Sequence, residues 1–374
     1  MATIACSIVL VSVERAPERN LPLQPAPDAR EYADTAHSLA RGNGFYTTFF
    51  GGARLPSQYP PGYPLALTPF AAMGGSYPRG VQRGAKFWAI VYVLVAVVAA
   101  WTLGGPLAAI LVALLIGTSP FAREASGLVM SDIFVAALTV LMLPLVKVVN
   151  GPGTRLAGFA TGWTTVAKVT SGVNLIALLA ALPRRSYKTV VLYALPWLIG
   201  LALLQWATFG NPLESGYSYW GVSAGTFALS DATSNTVSHE GPFIYAGRLD
   251  GQLLDWVCPC QVGGPEASLP NIAFYPLALA GAFWLYSPPF LPLLGLLYAV
   301  RRRRTPVGRY ALLVVSLTLL IFLFYQFQAA RFVAGPATVL VVLASVWLAE
   351  LGERAWRQRV RFPRAKHQAE AHAT

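Results

Sequence analysis

The chain has 374 residues, 55% of them hydrophobic and only 12% charged, where a soluble domain carries about a quarter charged residues. Apolar runs long enough for a hydrocarbon core of about 30 Å recur along it, which excludes a soluble globular fold and predicts an all-α polytopic membrane protein. The net charge of +12 suggests nucleic acid only until the charges are placed. Basic clusters at Arg184, Arg185 and Lys188, at 301–304, at Arg309 and at 354–366 each abut an apolar run, as the positive-inside rule expects of cytoplasmic loops. Assigning loops alternately puts 16 Lys/Arg and 3 Asp/Glu inside, against 12 and 13 outside. Topology therefore explains the charge, and nucleic acid is discarded as a partner.

In chain order, the apolar stretch 1–13 is short for a span of about 20 residues and reads either as the outer part of a first transmembrane helix clipped at its start or as a shallow, tilted helix. It lacks the basic start and small-residue cleavage site of a secretory signal. Residues 14–83 form a first large extracytoplasmic loop, with a short amphipathic helix at 36–40 ending at Gly42. Pro60, Pro61 and Pro64 then impose a rigid turn before an apolar stretch at 65–72. The segment 84–209 is transmembrane, with helices at 86–103, 106–119, 132–149 and 188–209 and a hairpin of short helices at 155–183 whose tip lies near the outer side. Irregular backbone at membrane depth is tolerated only where it lines a protein cavity. A second large extracytoplasmic loop covers 210–272, and 273–351 holds helices at 274–300, 309–327 and 333–351. The basic segment 352–374 reads as a solvated cytoplasmic tail, and the whole comes to about ten helices.

Candidate chemistry concentrates in the outer loops. Asp28 and Glu31, three residues apart, share one face of a helix, where two carboxylates suit a general base and a metal ligand. A solvated, capped loop helix explains the same spacing. Asp132 opens a helix from the outer side, either as an N-cap or facing a cavity. Lys168 sits between two short apolar pieces, where an ammonium is expensive unless it snorkels or meets water or an anion. The planar fork of Arg331, at the outer end of its helix, suits a phosphate or an interfacial anchor. His239 and Glu240 are further loop groups with metal-ligand chemistry. Tyr217, Tyr219, Trp220 and Trp256 suit either stacking on sugar faces or an interfacial aromatic belt. Cys258 and Cys260, in Cys-Pro-Cys, are too close for an unstrained disulfide and too few for a closed zinc site. No P-loop or dinucleotide fingerprint is present.

The pattern Asp28-x-x-Glu31-Tyr32-x-x-x-Ala36-x-x-Leu39-Ala40-x-Gly42-x-Gly44, followed by Tyr59-Pro60-Pro61-Gly62-Tyr63-Pro64-Leu65, resembles the first periplasmic loop of GT-C glycosyltransferases. It looks most like the bacterial branch of the dolichyl-phosphate-mannose–protein mannosyltransferase family, glycosyltransferase family 39. Ser131-Asp132, Phe209-Gly210-Asn211-Pro212 with Ser215-Gly216-Tyr217, and Ala330-Arg331-Phe332 with Pro336 resemble later features of that family, so the likeness spans residues 20–350. It implies transfer of a sugar from a polyprenyl-phosphate donor to a glycan, lipid or protein acceptor at the outer face of the plasma membrane, with inversion. Asp28 matches the family's catalytic Asp. Glu31 and Asp132 would line an acidic cavity or hold a divalent metal, and Lys168 and Arg331 would bind the donor phosphate. Tyr59, Tyr63, His239 and Glu240 would contribute from the loops. The competing reading is a transporter or flippase of a lipid-linked or small polar solute. It explains the helices and Lys168 but not two long polar loops on one face. A non-catalytic assembly subunit is a third.

Overall fold

The computed structural model describes residues 28–48, 52–73, 77–119, 122, 128–148, 151–219, 238–239, 270–280, 291–325, 327–328 and 330–371. The stretch 1–13, Glu240, Trp220, Trp256, Cys258 and Cys260 lie outside them.

Helix α1 (Asp28–Ala40) carries Asp28 and Glu31 in its first turn, where carboxylates complement the positive end of the helix dipole. Its small residues Ala29, Ala33 and Ala36 are buried against α2 (Gly62–Met73). The expected helix at 36–40 is thus the end of a longer one, because the amphipathic face begins at the acidic turn. A two-stranded antiparallel ribbon, β1 (Tyr46–Thr47) and β2 (Leu55–Pro56), joins α1 to α2. Asp34 ties it to α1 by accepting from Thr47 Oγ1 at 3.0 Å and from the Thr48 backbone N–H.

Helix α3 (Arg79–Gly117) starts inside the segment read as loop and breaks at Gly105 (φ 75°, ψ −166°), before Pro106. Glycine takes the positive φ and proline withholds an N–H, so the helix divides there. Then follow α4 (Ser131–Lys147), α5 (Pro152–Ala167), a 3-10 turn (Val169–Gly172) and α6 (Val173–Ala181). Helices α5 and α6 pack on each other across Lys168, whose extended backbone (φ −154°, ψ 110°) interrupts the helical ladder. Helix α7 (Tyr187–Phe209) packs along α5.

Beyond the second loop stand α8 (Asn271–Ala280), α9 (Leu291–Arg301), α10 (Pro306–Leu323), a 3-10 turn (Ala330–Val333) and α11 (Ala334–Ala371). Of the expected helix at 274–300, residues 281–290 lie outside the described residues, and the parts on either side belong to α8 and α9. The tail read as solvated is a continuation of α11, in which Glu350–Arg354 (3.6 Å) and Glu353–Arg357 (3.4 Å) pair at helical spacing. Strand β3 (Ser238–His239) pairs in parallel with β4 (Phe327–Gln328).

Among the described residues, Arg79–Gly117, Arg184–Phe209, Pro306–Leu323 and Arg331–Arg357 are long and apolar enough to cross a membrane. Of the most apolar 18-residue stretch of each, 83% is buried in the Arg331–Arg357 span and 11% in the Arg184–Phe209 span. The former is therefore the axis of the bundle, packed on α3, α4 and α9, and the latter presents leucines outward as a lipid-facing helix does. At the centre, the Tyr310 hydroxyl lies 2.8 Å from Asn174 Oδ1 and 3.0 Å from the Thr139 carbonyl. That polar link across α10, α6 and α4 is of the kind that joins helices where apolar contact alone gives no preference over lipid.

Candidate active site

Four segments deliver one charged side chain each to the same end of the bundle. Asp28 comes from the first turn of α1, Asp132 from the first turn of α4, Lys168 from the break between α5 and α6, and Arg331 from the turn before α11. The charges alternate in space. Arg331 Nη2 lies 3.6 Å from Asp28 Oδ2, Arg331 Nε 3.8 Å from Asp132 Oδ2, and Lys168 Nζ 2.7 Å from Asp132 Oδ1. Arg331 and Asp132 are the inner pair, with side chains 3% and 4% exposed, while Asp28 and Lys168 are 17% and 20% exposed. Asp132 does not cap α4, whose N-cap position is Met130; its carboxylate is spent on the two cations.

Aromatic rings surround this cluster. The Tyr59 hydroxyl donates to Asp28 Oδ1, and the Tyr59 ring meets Tyr32 at 4.8 Å and Tyr217 at 5.8 Å. The Lys168 ammonium stands 4.3 Å and the Arg331 guanidinium 5.4 Å from the Phe332 ring centre, within cation–π range. Phe332 in turn stacks on Phe322 at 4.8 Å. Tyr63 is fully buried between Tyr32 and Phe134 and belongs to the packing under the site. The turn carrying Tyr59 is pinned by Gly62, where a Cβ would come within 2.5 Å of the Ala167 backbone N, and by Trp163, whose indole N–H donates to the Gly62 carbonyl at 3.0 Å. The turn thus docks one residue from Lys168.

A cavity of about 700 Å³ opens beside the cluster. Tyr59, Pro60, Lys168, Tyr217, Phe322 and Phe332 line its inner end, and Leu201, Leu204 and Thr208 of α7 line its flank. It is a mainly apolar groove lined by one cation, Lys168, and flanked by α7, the least buried of the candidate spans.

Glu31 does not line that cavity. It is fully buried and accepts hydrogen bonds from Ser57 Oγ at 2.9 Å and from the Gln58 backbone N–H. Burial raises its pKa from 4.5 to about 7, against the lowering effect of those hydrogen bonds and with a further rise from Asp28. Its partners lie 26 and 27 residues away, and no sequence signal announces them. Because the pKa is raised in the folded state, the proton held by Glu31 stabilises the fold fully below 4.5, and that contribution is lost as pH rises through 7. Glu31→Gln keeps the acceptor oxygen and removes the titration. It is expected to flatten the fall in melting temperature between about pH 5 and pH 8, measured by thermal unfolding in detergent. An unchanged pH dependence would show that Glu31 does not titrate there.

His239 lies in the strand paired with Phe327-Gln328, three residues before Arg331. Among the described residues no group of three or more His, Cys, Asp or Glu is placed to share a metal ion. The two cations ion-paired to Asp132 oppose a divalent ion at that carboxylate.

No family model matches the sequence, and no curated protein matches it. Solved structures match the fold. ArnT from Cupriavidus metallidurans bound to undecaprenyl phosphate aligns with a TM-score of 0.59 and 17% identity, over 96% of this chain and 61% of that one. An Archaeoglobus fulgidus oligosaccharyltransferase, tethered with an acceptor peptide, aligns with a TM-score of 0.56 and 12% identity, over 94% of this chain and 49% of that one. This chain has the GT-C fold. It spans about three fifths of ArnT and half of the oligosaccharyltransferase. The likeness is to GT-C proteins as a group and does not single out glycosyltransferase family 39.

Proposed function

We propose that this chain transfers a sugar from a polyprenyl-phosphate donor to an acceptor on the extracytoplasmic face, with inversion at the anomeric carbon. The observation that carries the reading is the alternating cluster of Asp28, Arg331, Asp132 and Lys168, of which Lys168 also lines an apolar groove. A polyprenyl phosphate needs that combination, a long apolar channel ending in cations. The GT-C structures it resembles were solved with such lipids, undecaprenyl phosphate in ArnT and dolichol phosphate in the archaeal oligosaccharyltransferase. The positive-inside charge bias supports an outer-face position for the cluster.

In this mechanism the donor phosphate competes with the carboxylates for Lys168 and Arg331. Lys168 lines the groove and has two N–H donors beyond the one given to Asp132. As phosphate takes Arg331, Asp28 loses its counter-ion and becomes the base for the acceptor hydroxyl, still oriented by the Tyr59 O–H. The acceptor oxygen attacks the anomeric carbon, its proton passes to Asp28, and the bond to the phosphate oxygen breaks. The charge growing on the leaving phosphate is held by Lys168 and Arg331, which are preorganised by Phe332 and Asp132.

The test is a transfer assay on the purified full chain with radiolabelled polyprenyl-phosphate sugars and candidate glycan, lipid and protein acceptors. Wild type is expected to transfer, and Lys168→Ala to raise the donor KM about tenfold or more, as loss of a hydrogen bond to a charged group implies. A donor KM unchanged in Lys168→Ala would remove its phosphate role. Solute counterflow in proteoliposomes with no transfer product would replace the enzyme by a transporter.

A further inference from the structure

A second built recess lies at the opposite end of the bundle. Along α4, Lys147 is 15 residues from Asp132, about 22 Å at helical rise, so the two ends are separate sites. The recess holds about 320 Å³ and is lined by Leu103, Lys147, Tyr298, Arg302, Val346 and Glu350 among others. The positive-inside bias accounts for the presence of basic residues here, but not for a cavity between them.

We infer that this recess binds the phosphodiester headgroup of an anionic phospholipid. Its single carboxylate is already satisfied. Glu350 Oε1 accepts from the Tyr298 hydroxyl at 2.6 Å and from Arg302 at 3.1 Å, and Oε2 lies 3.6 Å from Arg354. The charge left over is positive. Lys147 gives one N–H to the Thr102 carbonyl at 2.5 Å, which leaves two donors on a full positive charge. Arg301, Arg303 and Arg304, beside Arg302 in sequence, are exposed. The first turn of α10 also lines the recess through Pro306, Val307 and Gly308, adding the positive end of an 18-residue helix.

The rest of the wall selects a lipid over free phosphate. Leu103, Val307, Leu343 and Val346 are apolar, and a glycerol backbone with its first methylenes covers them where inorganic phosphate leaves them wet. Leu107, Leu348 and Leu351, on the same helices as the lining residues Leu103, Val346 and Glu350, are exposed. Basic pockets between helices at the cytoplasmic surface have the chemistry that holds anionic headgroups. This site does not depend on the transfer reaction proposed above.

The test is native mass spectrometry of the full chain in detergent, titrated separately with phosphatidylglycerol, phosphatidylcholine and inorganic phosphate. Phosphatidylglycerol is expected to bind about tenfold or more tightly than phosphatidylcholine. The double variant Lys147→Gln with Arg302→Gln is expected to lose that preference. Lys147→Arg is expected to retain it, as is Arg357→Gln, whose residue pairs with Glu353 on the exposed side of α11. Should the double variant misassemble by size exclusion, Lys147→Gln alone reads the same loss, because Lys147 pairs with no carboxylate in the recess. Unchanged preference in a folded Lys147→Gln protein overturns the site. Equal affinity for both lipids overturns the anionic headgroup, and inorganic phosphate displacing the lipid at equal concentration overturns the lipid source.

Discussion

Arg331→Ala is expected to be the most damaging single substitution in the chain, lowering stability by about 3–5 kcal/mol and abolishing measurable transfer. The guanidinium is 3% exposed and lies between Asp28 and Asp132. Removing it leaves two carboxylates, one of them 4% exposed, with Lys168 as the remaining cation of the cluster. An uncompensated buried charge is what makes breaking a buried pair expensive. Arg331→Lys restores the charge but not the planar fork that reaches both carboxylates, so stability should recover more than transfer does. Thermal unfolding in detergent and the transfer assay together check this. A melting temperature and rate close to wild type in Arg331→Ala would mean that the cluster carries neither fold nor function.

Asp28→Asn should separate catalysis from donor binding. Asparagine keeps the shape and an acceptor for the Tyr59 hydroxyl but cannot take the acceptor's proton. The rate constant kcat is expected to fall by about 10²–10⁴-fold, the usual range for a positioned general base. Donor KM should stay level or drop, because the carboxylate 3.6 Å from Arg331, which competes with the phosphate for it, loses its charge. A structural role for Asp28 would instead raise KM and lower the melting temperature together. A kcat within about threefold of wild type, well short of a base's contribution, would assign proton removal to another group.

Much of this protein is legible without coordinates. Hydrophobic runs mark a membrane protein, because hydrocarbon accepts little else, and its basic ends give an expected direction for the loops. Lys168 is readable as a break, since an ammonium between two short apolar pieces needs a reason to be there. The structure brings Asp28, Asp132, Lys168 and Arg331 into one chain of ion pairs, the four residues that the sequence offers as charges beside outer-side turns.

Other features were not readable. Glu31 sits three residues from Asp28 on the same helix, yet it turns to Ser57 and Gln58, and nothing in local spacing distinguishes the two carboxylates. The extent of α1 and the helical run of α11 to Ala371 also exceed the sequence reading. Periodicity marks where a helix is amphipathic, not where packing and i,i+4 pairs extend it.

Composition and charge, by themselves, determined that the chain is a helical membrane protein, because each residue's transfer free energy is a local property. Tertiary structure alone decided which carboxylate faces a cation and which is buried against a backbone N–H. It also decided that Lys147 and Arg302 share a recess with Leu103 and Val346. Those outcomes depend on distances between segments tens to hundreds of residues apart, which a one-dimensional pattern does not contain.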